Sequence, residues 1–253
     1  MMKVDLEGRT ILVTGASRGI GAAIAETLLE CGAHVALHWH SEPAACDRLV
    51  ARFGARACSL RADLGEQAQV RRLWQEVCGW RGRLDGLVNN AAVMPYSAPE
   101  GPQTDWARDW DACWRVNIRA VADLSRLAIL HFKERGGGRL VNIASRAAFR
   151  GDLPDAMHYA ASKGAVVALT RSIAKGYAKQ GVRAFIIAPG WTRTERVLPR
   201  IEAAENAHML AEIPIGGAVP PREIGNLAAF LLAGLADHAT GGTFDINGAS
   251  YFH

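Results

Sequence analysis

Tyr159 and Lys163 stand four residues apart in the stretch HYAASKGAVVALTRSIAKGYAKQG, residues 158–181. Apolar residues recur there at intervals of three and four, which predicts a helix that carries both side chains on one face, with Cβ atoms about 5–6 Å apart. A phenol has a pKa of about 10, and a nearby positive charge lowers it, so the pair could move a proton near neutral pH. A core tyrosine beside a surface lysine is the alternative interpretation of the same spacing.

The elements that must hold this pair follow from an alternation along the chain. Short apolar runs are separated by longer amphipathic stretches, which is typical of right-handed βαβ units and a parallel sheet covered on both faces. The strand-like runs are TILVTG (10–15), HVALHW (34–39), ARACSLRA (55–62), LDGLVNN (84–90), GRLVNIAS (138–145), VRAFIIAPG (182–190) and GGTFDING (241–248). We therefore predict an α/β fold with a doubly wound, seven-stranded parallel sheet of the Rossmann type.

Length and composition agree with one domain over residues 1–253, because no linker, repeat or low-complexity tract divides the 253 residues. The segment 191–214 mixes polar and apolar residues without a period, and we expect a substrate loop there. The cysteines, at 31, 46, 58, 78 and 113, form no C-x-x-C and have no histidine at metal-ligand spacing, which favours free thiols in a reducing compartment and no metal.

The charge and hydropathy patterns indicate which partners to expect. The 29 basic residues slightly exceed the 25 acidic ones and are scattered, which argues against a nucleic-acid surface and suits an anionic cofactor. The first residues, MMKVDLEGRT, contain no apolar run, and no segment reaches the roughly 20 apolar residues that span a bilayer. We expect a soluble, cytoplasmic protein that binds no membrane.

A glycine-rich turn follows the first predicted strand, in the stretch TGASRGIGAAIAETLLECG. Gly15, Gly19 and Gly21 lie where the strand gives way to a helix. Glycines there allow a tight turn and close approach of a pyrophosphate, which the helix N-terminus attracts. The pattern predicts a dinucleotide site, and a tight turn with no ligand is the alternative.

The end of the second strand, LHWHSEP, indicates which dinucleotide binds. An acidic residue there would accept hydrogen bonds from the adenosine ribose and repel a 2′-phosphate. His40 and Ser41 are not acidic, and Arg18 in the glycine turn suits a phosphate. These residues favour NADP(H) over NAD(H), although Glu42 close by points the other way.

Asp63 ends the third predicted strand, in RADL, beside Leu64. Its carboxylate could accept a hydrogen bond from the adenine amino group. It could equally cap the helix predicted after it, and the two roles are compatible.

Six ordered motifs resemble the short-chain dehydrogenase/reductase superfamily, in its branch of roughly 250-residue single-domain enzymes, over essentially the whole chain. They are TGASRGIG at 14–21, NNAA at 89–92, VNI around Asn117, NIAS ending at Ser145, YAASK at 159–163 and PGWTRT at 189–194. Within the superfamily, ASRGIG, TRSIAKGYAKQGVRAFIIAPG and the closing DING look most like 3-oxoacyl-[acyl-carrier-protein] reductases. Sugar, steroid and polyol dehydrogenases share much of this pattern.

The resemblance implies a role for each catalytic residue. Tyr159 is the acid that protonates a carbonyl oxygen, and Lys163 lowers the phenol pKa and holds the nicotinamide ribose. Ser145 donates to the same carbonyl oxygen, and Asn117 holds a water that relays protons, through a local break in its helix. Taken singly, Ser145 could be a helix cap and Asn117 a buried turn residue.

The resemblance also implies the residues that line the cofactor and substrate sites. The predicted cofactor residues are Gly15, Ser17, Arg18, Gly19, Ile20, Gly21, His40, Ser41, Asp63, Leu64, Asn90, Ala91, Lys163, Pro189, Gly190 and Thr192. The predicted substrate residues are Met94, Tyr96, Arg146, Phe149, Trp191 and Arg193, with ordinary loop packing as the alternative for each. Two features depart from the family: Ala92 replaces the usual glycine, and the spacing from Ser145 to Tyr159 is one residue longer than is common.

The first functional hypothesis is an NADPH-dependent reductase of a ketone, with a 3-oxoacyl thioester, either free or carrier-bound, as the first substrate to test. A dehydrogenase of a sugar, polyol or other secondary alcohol with NAD(P) is the second, and a dinucleotide-sensing regulator without turnover is the third. The Ser–Tyr–Lys–Asn set argues against the sensor, which has no need of a proton relay.

The helices over 159–180 and 109–134 carry apolar residues on more than one face. The resemblance pairs these two helices with their two-fold mates. It implies a dimer at least and, through the last strand GGTFDING and the tail ASYFH, a homotetramer.

Overall fold

A computed structural model describes residues 4–203 and 207–253, and it contains one parallel sheet of seven strands. The strand order is β3-β2-β1-β4-β5-β6-β7, and every pairing is parallel. The strands are β1 (Thr10–Val13), β2 (His34–Trp39), β3 (Ala57–Arg61), β4 (Gly86–Asn89), β5 (Gly138–Ile143), β6 (Val182–Pro189) and β7 (Thr243–Ile246). The predicted seven-stranded Rossmann fold is confirmed.

The helices connect successive strands, as βαβ units require. They are α1 (Gly19–Glu30), α2 (Ala44–Phe53), α3 (Gln67–Arg81), α4 (Gln103–Cys113), α5 (Val121–Glu134), α6 (Ala147–Arg150), α7 (Met157–Tyr177), α8 (Leu198–Ile201), α9 (Ala207–Ala211) and α10 (Pro221–Leu232). A π-helical segment, Trp114–Ala120, joins α4 to α5, and short 3-10 turns lie at Gly54–Arg56, Pro154–Ala156, Ala178–Gln180 and Asp237–Ala239. Within the described ranges, no helix is both long enough and apolar enough to cross a membrane.

The core lies on both faces of the sheet because successive strand residues point to opposite sides. In β1, Ile11 and Val13 pack with side chains of α1, α2 and α10, whereas Leu12 packs with those of α3, α5 and α7. All three side chains are buried. Continuous apolar strands are therefore needed at the centre of this sheet, as the sequence indicated.

The strand order reverses between β1 and β4, which pair directly. In an open α/β sheet the carboxyl ends of the strands form a crevice at such a point. Asn90 holds its rim together, because its Nδ2 donates to the carbonyl of Thr14 at 2.9 Å and of Gly15 at 3.1 Å. Asn90 of NNAA therefore stabilises the crevice as well as lining it.

The segment 191–214, expected to be an irregular loop, contains α8 and α9. Residues 204–206 of it lie outside the described residues. Ile201, Met209 and Ala218 form a small apolar cluster against which Trp191 packs. The described part of the segment is therefore anchored by its own core.

Candidate active site

A cavity of about 590 Å³ opens at the carboxyl ends of the central strands. Every residue predicted to bind the cofactor lines it, from the glycine turn after β1 to Pro189, Gly190 and Thr192 after β6. Ser145, Tyr159 and Lys163 line the same cavity. The fold thus brings the predicted chemical and cofactor residues to one place.

The backbone of the glycine turn borders the cavity without side chains at its glycine positions. Gly15 and Gly19 have positive φ angles of 65° and 53°, which residues other than glycine rarely adopt. A Cβ on Gly21 would lie 2.0 Å from the carbonyl oxygen of Gly15 and 2.4 Å from Nδ2 of Asn90. Among the described residues no side chain caps α1, so the first amides of that helix can bind a phosphate. These features fit a dinucleotide.

The far end of the cavity is lined by Arg18, His40, Ser41, Glu42 and Asp63. Oδ1 of Asp63 accepts a hydrogen bond from the amide of Gly65 at 2.8 Å, and α3 starts at Gln67 with Glu66 in the N-cap position. Asp63 therefore closes a turn and is not the helix cap that was its alternative interpretation. His40 Nε2 lies 3.8 Å from Oδ2 of Asp63.

His38 is a buried residue whose structural role the sequence did not reveal. Its Nδ1 accepts a hydrogen bond from the amide of Gly15 at 3.0 Å, so Nε2 carries the proton and donates to the carbonyl of Ala62 at 3.0 Å. Burial lowers the pKa of His38 to about 4. The neutral ring ties the glycine turn to the end of β3. A histidine at the end of the strand beside that turn was the available signal.

Tyr159 and Lys163 occupy the first two turns of α7. The Lys163 ammonium lies 5.6 Å from the centre of the Tyr159 ring, so the two residues share a helix face as predicted. Lys163 is only 4% exposed, and its Nζ donates to the carbonyl of Ile143 at 2.8 Å. That bond fixes the ammonium at the end of β5.

The electrostatics of the pair differ from the expectation. Burial raises the pKa of Tyr159 to about 12, while the hydrogen bond with Ser145 and the charge of Arg196 act in the opposite direction. Burial also lowers the pKa of Lys163 to about 8. The net lowering of the phenol pKa that was expected is therefore absent from the cofactor-free protein, because desolvation disfavours the charged form of the phenol.

Ser145 follows β5 and contacts both α6 and Tyr159. Its Oγ accepts a hydrogen bond from the amide of Ala147 at 3.1 Å, and its hydroxyl also hydrogen-bonds the phenol. The local role at the start of α6 and the proposed chemical role are compatible, since a hydroxyl both donates and accepts.

Asn117 lies in the π-helical segment between α4 and α5, so the expected local break in its helix is present. Its Oδ1 accepts from the amide of Val93 at 2.8 Å, and its Nδ2 donates to the carbonyl of Val93 at 2.9 Å and to Ser162 Oγ at 3.0 Å. The side chain is 1% exposed and lies behind the cavity wall. It joins the loop after β4 to α7, and its water-holding role stays a prediction.

The chain was compared with known protein families and with solved structures. The family model described as "Enoyl-(Acyl carrier protein) reductase" matches residues 15–248, from the glycine turn to the end of the sheet. The chain belongs to the short-chain dehydrogenase/reductase family.

Individual relatives cover nearly the whole length of this dehydrogenase/reductase. The 3-oxoacyl-[acyl-carrier-protein] reductase FabG of Escherichia coli (strain K12) is 31% identical over 248 residues, with 98% of this chain and 99% of the relative covered. A gluconate 5-dehydrogenase from Burkholderia cenocepacia J2315, solved with NADP and tartrate, has a TM-score of 0.88 and 32% identity, with 98% and 97% covered.

A third relative is a 3-ketoacyl-(acyl-carrier-protein) reductase from Brucella melitensis, solved with NADH. It has a TM-score of 0.87 and 28% identity, with 98% of this chain and 100% of that chain covered. This short-chain dehydrogenase/reductase is thus an NAD(P)-dependent oxidoreductase.

The predicted substrate residues divide into two groups in this enzyme. Met94, Tyr96, Arg146 and Trp191 line the cavity. Phe149 instead packs against Ala144, Val167 and Ile186 and stacks on the ring of His253 at 4.0 Å, and Arg193 lines a second cavity. The structure does not bring Phe149 and Arg193 to the site. For Phe149, the alternative prediction of ordinary loop packing is the correct one.

Further residues of the cavity were missed from the sequence. Thr194 lies beside the glycine turn, with its Cγ2 3.0 Å from where a Cβ of Gly19 would be. The remaining cavity residues that were missed include Arg115, Arg150, Asp152, Glu195, Arg196 and Arg200. Thr194 was visible as the last residue of PGWTRT, but the arginines have no local signal, because only the fold brings them to the cavity.

Proposed function

We propose that the enzyme reduces a ketone with NADPH, using Tyr159 as general acid. The observation that carries this proposal is the placement of Ser145, Tyr159 and Lys163 in one cavity with the glycine turn. The first substrate to test is a 3-oxoacyl thioester or a similar small carbonyl compound, and the similarity to FabG supports that choice.

The chain's own residues account for the proton. A reduced nicotinamide, when bound, supplies the hydride to the carbonyl carbon, and negative charge then develops on the carbonyl oxygen. The phenol of Tyr159, with a pKa of about 12, is protonated at neutral pH and can donate to that oxygen, while Ser145 donates a second hydrogen bond. Lys163, with a pKa of about 8, is mostly charged at neutral pH and favours the resulting phenolate.

The preference for NADP(H) rests on the end of the cavity beside β2. Arg18 offers a guanidinium for a 2′-phosphate, and His40 and Ser41 offer hydrogen bonds without negative charge. Arg18→Ala is expected to weaken NADPH far more than NADH in fluorescence titrations. Equal weakening of both cofactors would place Arg18 on the pyrophosphate that they share. Glu42→Gln is the companion variant, because it removes the carboxylate that would repel a 2′-phosphate.

A dehydrogenase of a sugar, polyol or other secondary alcohol is the alternative, supported by the similarity to a gluconate 5-dehydrogenase. The same residues serve both directions, because the group that protonates the alkoxide also deprotonates the alcohol. A regulator that only senses the dinucleotide would have no use for a serine hydrogen-bonded to a phenol that lines the cavity.

The test is a panel of ketones and secondary alcohols assayed with both dinucleotides by the absorbance of the reduced nicotinamide. Tyr159→Phe removes only the hydroxyl, so NADPH binding should survive while turnover falls by about 10²–10⁴. Retention of half the activity in this variant would overturn the assignment of the acid. NADPH binding without turnover of any compound by the wild-type protein would favour the sensor.

A further inference from the structure

Arginine is the commonest charged residue that lines the cavity. Arg115, Arg146, Arg150, Arg196 and Arg200 line it. The carboxylates that line the cavity within the described chain are those of Glu42, Asp63, Glu66, Asp152 and Glu195, and Glu212 lies behind the wall. A cavity with an excess of positive charge concentrates anions.

Arg146 and Arg150 already have a carboxylate partner. Both bond Glu212, and Arg146 also donates to Ser250 Oγ at 2.6 Å. Arg146 is 4% exposed and lies beside the Trp191 ring. These two arginines hold the segment after β6 against the start of α6, and the single carboxylate of Glu212 balances one of their two charges.

Arg196 is in a different position. Its Nη2 donates to the carbonyl of Met94 at 2.8 Å, and none of the described carboxylates forms an ion pair with it. A guanidinium has five N–H donors in a fork that matches a carboxylate, and a backbone carbonyl occupies only part of it. The exposed side chain therefore spans the cavity mouth from the segment after β6 to the loop after β4, with donors to spare.

The position of Arg196 relative to Tyr159 limits the size of an anionic substrate that could contact both residues. Arg196 and Tyr159 line the same cavity, and the charge of Arg196 acts to lower the pKa of Tyr159. An anion bound by Arg196 is consequently close to the carbonyl that Tyr159 protonates. A small oxo acid meets this condition, because its carboxylate is only a few bonds from its ketone.

We propose that the substrate is a small oxo or hydroxy acid whose carboxylate binds Arg196. This inference rests on the proposed oxidoreductase function of the same cavity and assigns its substrate class. Arg196 is then the residue that distinguishes an acid from its neutral counterpart.

The test compares acetoacetate and levulinate with their methyl esters, each with NADPH, in the wild type, Arg196→Gln and Arg193→Gln. The wild type should prefer the acids, and Arg196→Gln should reduce the acid-to-ester ratio of kcat/KM by about 10- to 100-fold, the usual value of a charge-assisted hydrogen bond. Using the ratio cancels any effect of Arg196 on Tyr159 itself. Arg193→Gln, on the same segment but facing the second cavity, should leave the ratio unchanged.

A binding measurement separates this inference from the catalytic proposal. Levulinate is titrated calorimetrically into the NADP⁺ complexes of Tyr159→Phe and of Tyr159→Phe with Arg196→Gln, where no turnover is needed. Binding lost only with Arg196 supports the acid site, even if no oxo acid is reduced and the reductase proposal fails. Equal loss of acid and ester activity, absence of levulinate binding, or a wild-type preference for acetoacetyl-N-acetylcysteamine that Arg196→Gln leaves intact would overturn it.

Discussion

Lys163 shows how burial controls a charged group at this site. Its pKa falls from an ordinary value of 10.5 to about 8, because the folded protein removes most of the water around the ammonium. The carbonyl of Ile143 accepts one of its hydrogen bonds. The cofactor-free protein therefore keeps a costly charge at neutral pH.

We expect Lys163→Met to change the pH dependence of stability. Between pH 8 and 10.5 the unfolded lysine keeps its proton and the folded one has lost it, so this group's contribution to the free energy of unfolding rises with pH in that window. Urea denaturation measures the free energy of unfolding of the wild type and of Lys163→Met. The value for the wild type minus the value for Lys163→Met should increase as the pH rises across this window.

The buried thiols act in the opposite direction. Burial raises the pKa of Cys46 and of Cys58 to about 12, so their contribution is lost as the pH rises above 9. Because both proteins contain them, their effect cancels in the difference. A difference that is flat with pH would mean that Lys163 is not desolvated.

His38 supplies a second prediction about a single residue. His38→Leu removes the acceptor for the Gly15 amide and should lower the free energy of unfolding by about 1–3 kcal/mol at neutral pH, the cost of an unsatisfied buried donor. NADPH should bind more weakly to the variant, because the glycine turn loses a support.

The pH response of His38 has a definite sign. The folded pKa of about 4 lies below the ordinary value of 6.5, so the unfolded state alone binds a proton between these pH values and stability falls as the pH drops through them. In His38→Leu, the part of the loss of stability between pH 6.5 and 4 that is due to His38 should disappear. In His208→Leu, at an exposed position, that part should remain. Identical acid sensitivity in both variants would contradict the assignment.

At the scale of elements, the glycine turn depends on the close approach of α1 to β1. Gly21→Ala should destabilise the protein by about 1–3 kcal/mol, because its Cβ would overlap the Gly15 carbonyl, and should sharply weaken NADPH binding. Urea denaturation and fluorescence titration measure the two effects.

Gly79→Ala is the control for that variant, since Gly79 is also a helical glycine. It lies in α3, and a Cβ there has no heavy atom of the described structure within 4 Å. This change should stabilise the protein by about 0.5–1 kcal/mol through helix propensity, without affecting NADPH. If both variants behaved alike, crowding at Gly21 would not be the cause.

The loop between Ser145 and Tyr159, one residue longer than is common in the family, is also an element with its own structure. It forms α6 and the 3-10 turn Pro154–Ala156 before α7 begins. Arg146 and Arg150 of this loop bond Glu212 of the segment after β6. The loop therefore shapes the cavity through its ion pairs as much as through its length.

At the scale of the whole molecule, apolar side chains remain exposed on the surfaces expected to form interfaces. Trp114 and Leu130 are 57% and 45% exposed on the 109–134 stretch, and Ile215 and Phe252 are 80% and 77% exposed beside the edge strand β7. Such groups, together with an open sheet edge, are typical of association surfaces. We propose a homotetramer on this basis.

Light scattering at micromolar protein concentration tests the assembly, with a tetramer expected. Trp114→Glu should disrupt the contact of the paired helices, and Phe252→Glu should leave a dimer. A wild-type mass near the single-chain 27.2 kDa would contradict the proposal entirely, and a stable wild-type dimer would contradict only the contact through the tail.

The sequence by itself determined the fold and the position of the dinucleotide cavity. Apolar runs of strand length, separated by helical patterns, admit a parallel sheet and little else, because each βαβ unit is a local pattern. The glycine turn and the Tyr159–Lys163 pair were equally visible, since their spacing is read within one element. A doubly wound parallel sheet of seven strands, with a cavity at the carboxyl ends of its strands, follows from these local rules, whereas the strand order was read from the structure.

The tertiary structure alone decided what depends on burial and on partners distant in the chain. The acceptor role of His38 requires the Gly15 amide, 23 residues away, and the raised pKa of Tyr159 is a consequence of desolvation that no spacing reveals. Arg193 and Arg196 look alike in the sequence, yet one faces the second cavity and the other bonds Met94 at the mouth of the first, because the chain turns between them. Side-chain direction in an irregular segment is set by packing, and packing exists only in the folded molecule.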